Sequence, residues 1–181
     1  MVGTTLLLSR LLIDDLDVDC LIHKYVDDTT LTESLFSTNP PIWNFISSSY
    51  DWAYKNDMEV NLSKTKEIVM RPPSKIRHLP PLHFPTAQTE RVNSVKLLGI
   101  NLNSDFSWKS HVEAITSKAM QRIYFLKPLR RAGVPQSNLL HFYTGVIRPV
   151  LEYAAPVWNH LLSKTQIGQI EAIQRRALRI I

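Results

Sequence analysis

The chain has 181 residues, of which 44% are hydrophobic, and this favours a globular protein over a disordered one. A single cysteine excludes an internal disulfide framework, and the six scattered histidines offer no paired metal-ligand spacing. The apolar stretch 4–13 contains Arg10 and lacks the basic start and cleavage site of a signal peptide. No other run approaches the roughly 18 apolar residues of a membrane span. We therefore expect a nuclear or cytoplasmic protein that is not secreted and has no membrane partner.

The net charge of +5 is unevenly distributed. Residues 1–100 hold 10 Lys and Arg against 12 Asp and Glu, whereas residues 101–181 hold 11 against 4, so the two parts carry −2 and +7. A basic second part suits a polyanionic ligand, and an acidic first part suits metal-binding carboxylates. A solvated basic surface remains the simpler explanation of the charge by itself.

The first hundred residues mix helix and strand signals. Leucines at helical spacing predict an amphipathic N-terminal helix that ends near Asp15; they are Leu8, Leu11, Leu12 and Leu16. The apolar run 21–26, the pair Asp27-Asp28 and the β-branched run 29–32 predict a β-hairpin with two aspartates at its tip.

A helix is predicted next, because Asn39-Pro40-Pro41 is a helix-start signal and apolar residues then line one face as far as Asn56. This helix should pack on the sheet. Residues 67–70 and 95–102 are each predicted to be a strand, and a proline-rich loop separates them. The first domain is therefore α+β and ends near Asn103.

The remaining residues predict only helices. Ser107 is the expected N-cap of a long helix that stops at Pro128 and Gly133, and a second helix begins at Pro135. A third helix follows Ser163, with isoleucines on one face and arginines largely on another.

The Asp27-Asp28 pair is the first candidate site. Two carboxylates at a hairpin tip, in a chain that also has a basic part, suggest divalent-metal chemistry on phosphates. Most adjacent aspartates are ordinary turn residues, so the neighbouring sequence has to decide.

That context resembles reverse transcriptases. Tyr25-Val26-Asp27-Asp28 between two strands is similar to their motif C, and residues 60–66, which include Asn61, Lys64 and Thr65, resemble the Asn-x-x-Lys-Thr element of motif D. Residues 95–100 look like the Leu-Gly strand that follows, and residues 105–111 match the segment leading into the thumb. Residues 147–158 and 173–181 are similar to thumb segments of jockey-like and RTE/CR1-like LINE elements.

The resemblance spans nearly the whole chain and points to the reverse transcriptase of a non-LTR retrotransposon. It implies an α+β fold: a partial palm in residues 1–103, with a small antiparallel sheet and a packed helix, followed by an all-helical thumb in residues 104–181 that is truncated at its C-terminus.

The resemblance also implies site residues. Asp27 would be the main ligand of both catalytic metals and Asp28 the weaker partner, with Mg²⁺, or alternatively Mn²⁺, expected in the full-length enzyme. Lys64 would donate a proton to the leaving pyrophosphate, or be only a solvated charge. The RNA template and DNA primer would be contacted by a larger set of residues: Tyr25, Lys96, Gly99, Arg130, Arg131, Arg175, Arg176 and Arg179.

Two family elements are missing. The sequence has no motif A, the strand that supplies the opposing carboxylate, and motif B survives at most as a remnant at residues 3–6. The chain is therefore expected to be inactive alone. Three hypotheses stay open: a fragment of an RNA-directed DNA polymerase, a non-catalytic nucleic-acid-binding module, and the product of a pseudogene.

Overall fold

A computed structural model describes residues 3–9, 21–25, 28–34, 42–70, 81–83 and 88–181. The chain divides into two compact units. The first comprises residues 1–95 and 103–106, and the second comprises Lys96–Leu102 and Ser107–Ile181.

The first unit contains a five-stranded sheet. Its elements are β1 (Gly3–Ser9), β2 (Leu21–Tyr25), β3 (Asp28–Ser34), α1 (Ile42–Lys55), β4 (Lys66–Met70) and β5 (Glu90–Arg91). The strand order is β2-β3-β1-β4-β5. All neighbours are antiparallel except β4 and β5, which run parallel. The predicted α+β class is confirmed, and the sheet is mixed instead of purely antiparallel because β5 follows a long connection from β4.

The predicted hairpin is formed by β2 and β3. Their register runs from Leu21 opposite Thr32 to Tyr25 opposite Asp28. Two residues, Val26 and Asp27, connect the strands and lie outside the described residues. The pairing confirms the predicted strands on both sides of Asp27.

The N-terminal helix prediction is wrong over Gly3–Ser9, which form strand β1. β1 pairs with β3 on one side and β4 on the other, so its backbone hydrogen bonds are satisfied only in the sheet. Pairing with strands distant in sequence overrides a weak helical spacing. The remainder of that prediction, residues 10–20, lies outside the described residues.

Helix α1 packs its apolar face against the sheet, as predicted. Leu31 of β3 is fully buried with Ile42 and Ile46 of α1 in one core cluster. The helix begins where the backbone N–H of Ile42 donates to a Glu33 carboxylate oxygen at 2.9 Å. This carboxylate satisfies one of the N–H groups that a helix start leaves without a partner. Burial raises the pKa of Glu33, and the bond from Ile42 partly offsets the rise.

A β-hairpin replaces the single strand predicted over residues 95–102. Strands β6 (Ser94–Leu97) and β7 (Ile100–Asn103) pair in a separate two-stranded sheet. Leu98 and Gly99 connect them, with φ values of +45° and +86°. A two-residue connection with positive φ at both positions is the pattern of a type I′ hairpin turn. The chain therefore reverses direction at Leu98-Gly99, where the apolar run predicted one continuous strand.

The second unit is helical apart from the residues it takes from this hairpin. It contains α2 (Lys109–Arg131), α3 (Gln136–Phe142), a π-helical turn (Tyr143–Ile147), α4 (Arg148–Glu152), α5 (Ala155–Trp158), a 3₁₀ turn (Asn159–Leu161) and α6 (Lys164–Ile180). Pro135 is the N-cap of α3 and Ser163 that of α6, as predicted. The Ser163 side chain accepts from Gln166 N at 3.3 Å, and Ser163 N donates to the Gln166 side chain at 2.8 Å, which is a capping box.

The predicted stop of α2 at Gly133 is confirmed, because Gly133 follows the C-cap Ala132 with a φ of +75°. Two other predicted limits of α2 are wrong. Its N-cap is Trp108 and not Ser107, and Pro128 lies inside the helix, which continues to Arg131. Because proline removes one N–H donor and crowds the preceding turn, tertiary packing must compensate here. Leu126, two residues earlier, is fully buried in the core of the unit.

The core of the second unit joins α2 to the later helices. Its buried members include Val112, Ala119, Ile123, Leu126, Leu139, Ile147, Leu151, Trp158, Ile173 and Ala177. Burial of each aliphatic side chain contributes about 1.5–3 kcal/mol to the stability of the second unit. Among the residues that the structure describes, no helix is long and apolar enough to span a membrane.

Candidate functional site

The sheet of the first unit brings Asp28 and Lys64 to the same end. Asp28 lies opposite Ser9 of β1, and Leu7 of β1 lies opposite Lys66 of β4. Lys64 precedes Lys66 by two residues, in the turn that leads into β4, so it lies towards the same end of the sheet as Ser9 and Asp28. Strand β1 lies between β3 and β4, so two inter-strand spacings of about 5 Å each separate them.

Lys64 is presented by a turn that its neighbours build. The Asn61 side-chain oxygen accepts from Lys64 N at 3.2 Å and from the Ser63 hydroxyl at 2.7 Å. The Thr65 hydroxyl is fully buried and donates to the Asn61 backbone oxygen at 2.9 Å. An asparagine that bonds its own downstream backbone fixes a tight turn, which leaves Lys64 exposed at the start of β4.

The metal-ligand set is incomplete in the described part of the chain. Asp28 is half-buried at the first position of β3, while Asp27 lies outside the described residues. No group of three or more His, Cys, Asp or Glu side chains that could hold a metal occurs among the described residues. Buried Glu67 does not serve this purpose, because it is paired with Arg91 at 2.6 Å and accepts from Leu82 N at 3.3 Å.

The β6–β7 turn carries an exposed, strained leucine in the second unit. Leu98 adopts a left-handed backbone conformation and is 43% exposed. This conformation costs a non-glycine residue about 1–2 kcal/mol, and residues held in it are concentrated at functional sites. Lys96 precedes the turn and is exposed. The structure therefore places the predicted pair Lys96 and Gly99 on one solvent-facing hairpin end.

Tyr153 contacts this turn from the end of α4. Its hydroxyl donates to the Leu98 carbonyl oxygen at 2.9 Å. A Cβ atom added to Gly99 would lie 3.1 Å from Cε1 of the Tyr153 ring. Gly99 is thus required both by its positive φ and by the closeness of the aromatic ring.

A second contact holds the other strand of the hairpin. The backbone N–H of Asn101 donates to Nδ1 of His111 at 3.4 Å. His111 is buried beside the rings of Trp108 and Trp158, whose centroids lie 6.0 and 5.2 Å from its own. Burial lowers the pKa of the His111 imidazole. Accepting at Nδ1 requires a neutral ring with its proton on Nε2, and this nitrogen is buried without a partner in the described structure.

The predicted arginine contacts fall into two groups. The Arg130 guanidinium donates to the backbone oxygens of Arg179, at 3.3 Å, and Ile180, and Arg175 pairs with Glu171 at 3.5 Å. Three others are exposed and have no ion pair within the described residues: Arg131, Arg176 and Arg179. The second unit therefore presents arginines to solvent on α6 and at the end of α2.

A cationic groove lies beside the β6–β7 turn within the second unit. It has a volume of about 430 Å³ and is lined by Lys96, Lys118 and Arg122 together with Tyr153, and no carboxylate lines it. The Arg122 guanidinium already donates to the Val146 backbone oxygen. The two lysines are exposed and available to an anionic ligand.

Sequence reasoning assigned no role to Tyr153, Trp158 or Lys118. Tyr153 and Trp158 lie in the 147–158 block that carries the resemblance, but their partners are distant in the sequence. The one local signal was Leu98-Gly99 between two short strands, since glycine at that position is a mark of a hairpin turn.

Comparison with known proteins relates this chain to transposon polymerases. It is 26% identical over 143 residues to "Probable RNA-directed DNA polymerase from transposon X-element" of Drosophila melanogaster, covering 77% of this chain and 15% of that protein. It is 24% identical over 170 residues to "Probable RNA-directed DNA polymerase from transposon BS" of the same organism, covering 89% and 18%. The chain thus spans less than a fifth of the length of these curated relatives, and it is distantly homologous to transposon RNA-directed DNA polymerases.

A family described as "Alkylated DNA repair protein alkB homolog 8, N-terminal" matches residues 108–148. That match covers less than a quarter of the chain and does not establish a family. No solved structure matches this chain.

Proposed function

We propose that this chain is a fragment of the RNA-directed DNA polymerase of a non-LTR retrotransposon, comprising the rear part of the palm and the thumb. The observation that carries the proposal is the pairing of β2 with β3 on the two sides of Asp27, with Lys64 at the same end of the sheet. The homology to two transposon polymerases supports it independently.

In this proposal the first unit supplies one side of a two-metal centre. Asp27 and Asp28 would hold Mg²⁺ or Mn²⁺, which would stabilise the charge developing on the transferred phosphate, and Lys64 would donate a proton to pyrophosphate. The described residues do not fit a complete centre, because they include no cluster of three potential ligands. The expected motif A carboxylate is absent from the 181 residues, so the chain alone should extend no primer.

The second unit would contact the RNA template and DNA primer. Its exposed arginines and the lysines of the cationic groove suit phosphate oxygens, which any sequence presents. The Lys96–Gly99 segment would lie near the primer end. Binding through such contacts releases counterions and therefore weakens steeply as the salt concentration rises.

A non-catalytic nucleic-acid-binding module is the second candidate. It is favoured by the charge of +7 on residues 101–181 and by three arginines that have no ion pair in the described structure. Both candidates predict binding of a labelled RNA–DNA duplex that weakens between about 50 and 200 mM salt. Absence of binding at the lower salt concentration would overturn both. A need for Asp27 in primer extension by a transposon polymerase that carries this segment would separate them.

A further inference from the structure

We infer that Tyr153 is a positioning residue that holds the Leu98–Gly99 turn in its exposed left-handed conformation. In this conformation the turn and the cationic groove would bind a sugar–phosphate backbone. The identity of this ligand rests on the proposed function. The positioning itself rests on contacts within the second unit.

The turn needs a stabilising contact from outside the hairpin, because its own residues do not favour its backbone conformation. A type I′ turn prefers Asn-Gly or Gly-Gly, and here its first position is Leu98. The leucine is 43% exposed, so burial of its side chain offers little compensation for the left-handed backbone. The Tyr153 hydroxyl bond to the Leu98 carbonyl, at 2.9 Å, stabilises this conformation directly.

Tyr153 is itself fixed by the core. The Nε1 atom of Trp158 donates to the Tyr153 backbone oxygen at 2.9 Å, and Trp158 is buried. The next residue, Ala154, has a φ of +52° and is the N-cap of α5. Because the backbone is held by a core side chain, the Tyr153 ring projects from a rigid point and can hold a strained turn.

The turn and strand β7 are connected through the same aromatic residues, Trp158 and His111. Trp158 contacts the ring of His111, whose Nδ1 accepts from Asn101 N in β7. The hairpin is therefore held at its turn by Tyr153 and along β7 by His111. A closed set of contacts of this kind fixes where the turn lies relative to α2.

The surface so positioned suits a polynucleotide backbone. Lys96 and Lys118 line the groove beside the turn, and no carboxylate does. Lysine ammonium groups would bind phosphate oxygens, and exposed Leu98 would contact the apolar face of a sugar. Loosening the turn would move Lys96, which adjoins it, away from Lys118 on α2.

The test uses the full 181-residue chain with Tyr153→Phe, which removes only the hydroxyl. Tyr124→Phe, at an exposed tyrosine of α2, is the matched control. Hydrogen exchange of the Gly99 and Ile100 amides should accelerate about tenfold in Tyr153→Phe, with the melting midpoint of the helical unit unchanged. Affinity for an RNA–DNA hybrid should fall about threefold to tenfold, because Lys96 is no longer held beside Lys118.

Gly99→Ala should also accelerate exchange of the turn amides and lower the affinity, because the added methyl group would crowd the Tyr153 ring. Unchanged amide exchange in Tyr153→Phe would overturn the positioning role. Faster exchange with unchanged affinity would overturn the link between the turn and nucleic acid. Failure of the unsubstituted chain to bind the hybrid would instead overturn the proposed function, and it would be seen before any variant is compared.

Discussion

The guanidinium of Arg130 donates a hydrogen bond of 3.3 Å to the backbone oxygen of Arg179 in the last turn of α6. The same nitrogen also donates to the Ile180 backbone oxygen. A cation at a helix C-terminus satisfies carbonyls that have no partner within the helix. The contact links α2 to α6 and gives Arg130 a structural task that Arg131 does not share.

Arg130→Ala should therefore lower the free energy of unfolding by about 0.5–1 kcal/mol, the usual contribution of a cation at a helix end. Its effect on duplex affinity should be smaller than that of Arg131→Ala, which removes a charge without this bond. Urea denaturation and duplex titration of both variants make the comparison. Equal stability of the two variants would contradict the structural task of Arg130.

Gly99→Ala should destabilise the second unit by about 1–2 kcal/mol. The alanine would adopt a left-handed backbone and its Cβ would lie 3.1 Å from the Tyr153 ring. Gly133→Ala is the matched control, because its φ is +75° and nothing lies within 4 Å of an added Cβ. If Gly133→Ala loses less stability in thermal denaturation than Gly99→Ala, the difference measures the cost of the contact with the Tyr153 ring. Equal losses of stability would show that this contact is unimportant.

Neutralising Arg175, Arg176 and Arg179 together should make duplex binding less sensitive to salt. Each phosphate contact contributes about 0.9 to the slope of log K against log salt on B-form DNA, so the slope should fall by about 2 to 3. Lys55→Ala, at an exposed lysine in α1 of the other unit, should change it by less than 1. An unchanged slope in the triple alanine variant would rule out these arginines as contacts.

The second unit should lose stability in mild acid through His111. Burial lowers the pKa of this imidazole from its usual 6.5, so the unfolded chain binds the proton at a higher pH than the folded chain does. The stability that depends on the neutral ring is fully present above pH 6.5 and is lost as the pH falls towards the lowered value. The slope cannot exceed about 1.4 kcal/mol per pH unit.

Urea midpoints at about pH 7.5 and 5.5 measure this loss. His111→Gln keeps an acceptor for Asn101 but has no titrating ring, so its midpoint should change less than that of the unsubstituted chain. His141→Gln, at an exposed histidine, should behave like the unsubstituted chain. If the urea midpoint of His111→Gln fell as much as that of the unsubstituted chain, the pH dependence would come from other groups.

Local signals allowed several elements to be predicted from the sequence. The α6 capping box depends on Ser163 and Gln166, which are three residues apart, and α1 follows a proline pair with a regular apolar face. The β2–β3 hairpin was equally local, because its two runs are separated by two residues. When the residues that form an element are close together in the sequence, a short stretch of sequence contains the whole pattern that predicts the element.

The failures concern contacts between distant residues. β1 is a strand because β3 and β4 lie on either side of it, which four leucines at helical spacing do not indicate. The β6–β7 turn was missed because Leu98 is an unfavourable residue for it, and its stabilising partner Tyr153 is 55 residues away. The candidate site also combines local and distant features. The aspartate pair can be recognised in the sequence, whereas the contact of Tyr153 with the Leu98–Gly99 turn can be recognised only in the folded structure.

RNA-templated primer extension by a chimera would show whether this chain is a segment of a transposon polymerase. In a transposon polymerase shown to be active, the segment homologous to this chain is replaced by the chain itself. We expect extension that is reduced but measurable. It should be abolished by Asp27→Ala and strongly lowered by Asp28→Ala, because carboxylates on both sides of the metal pair are needed. A folded chimera that extends primers equally well with Asp27→Ala, or not at all, would contradict this expectation.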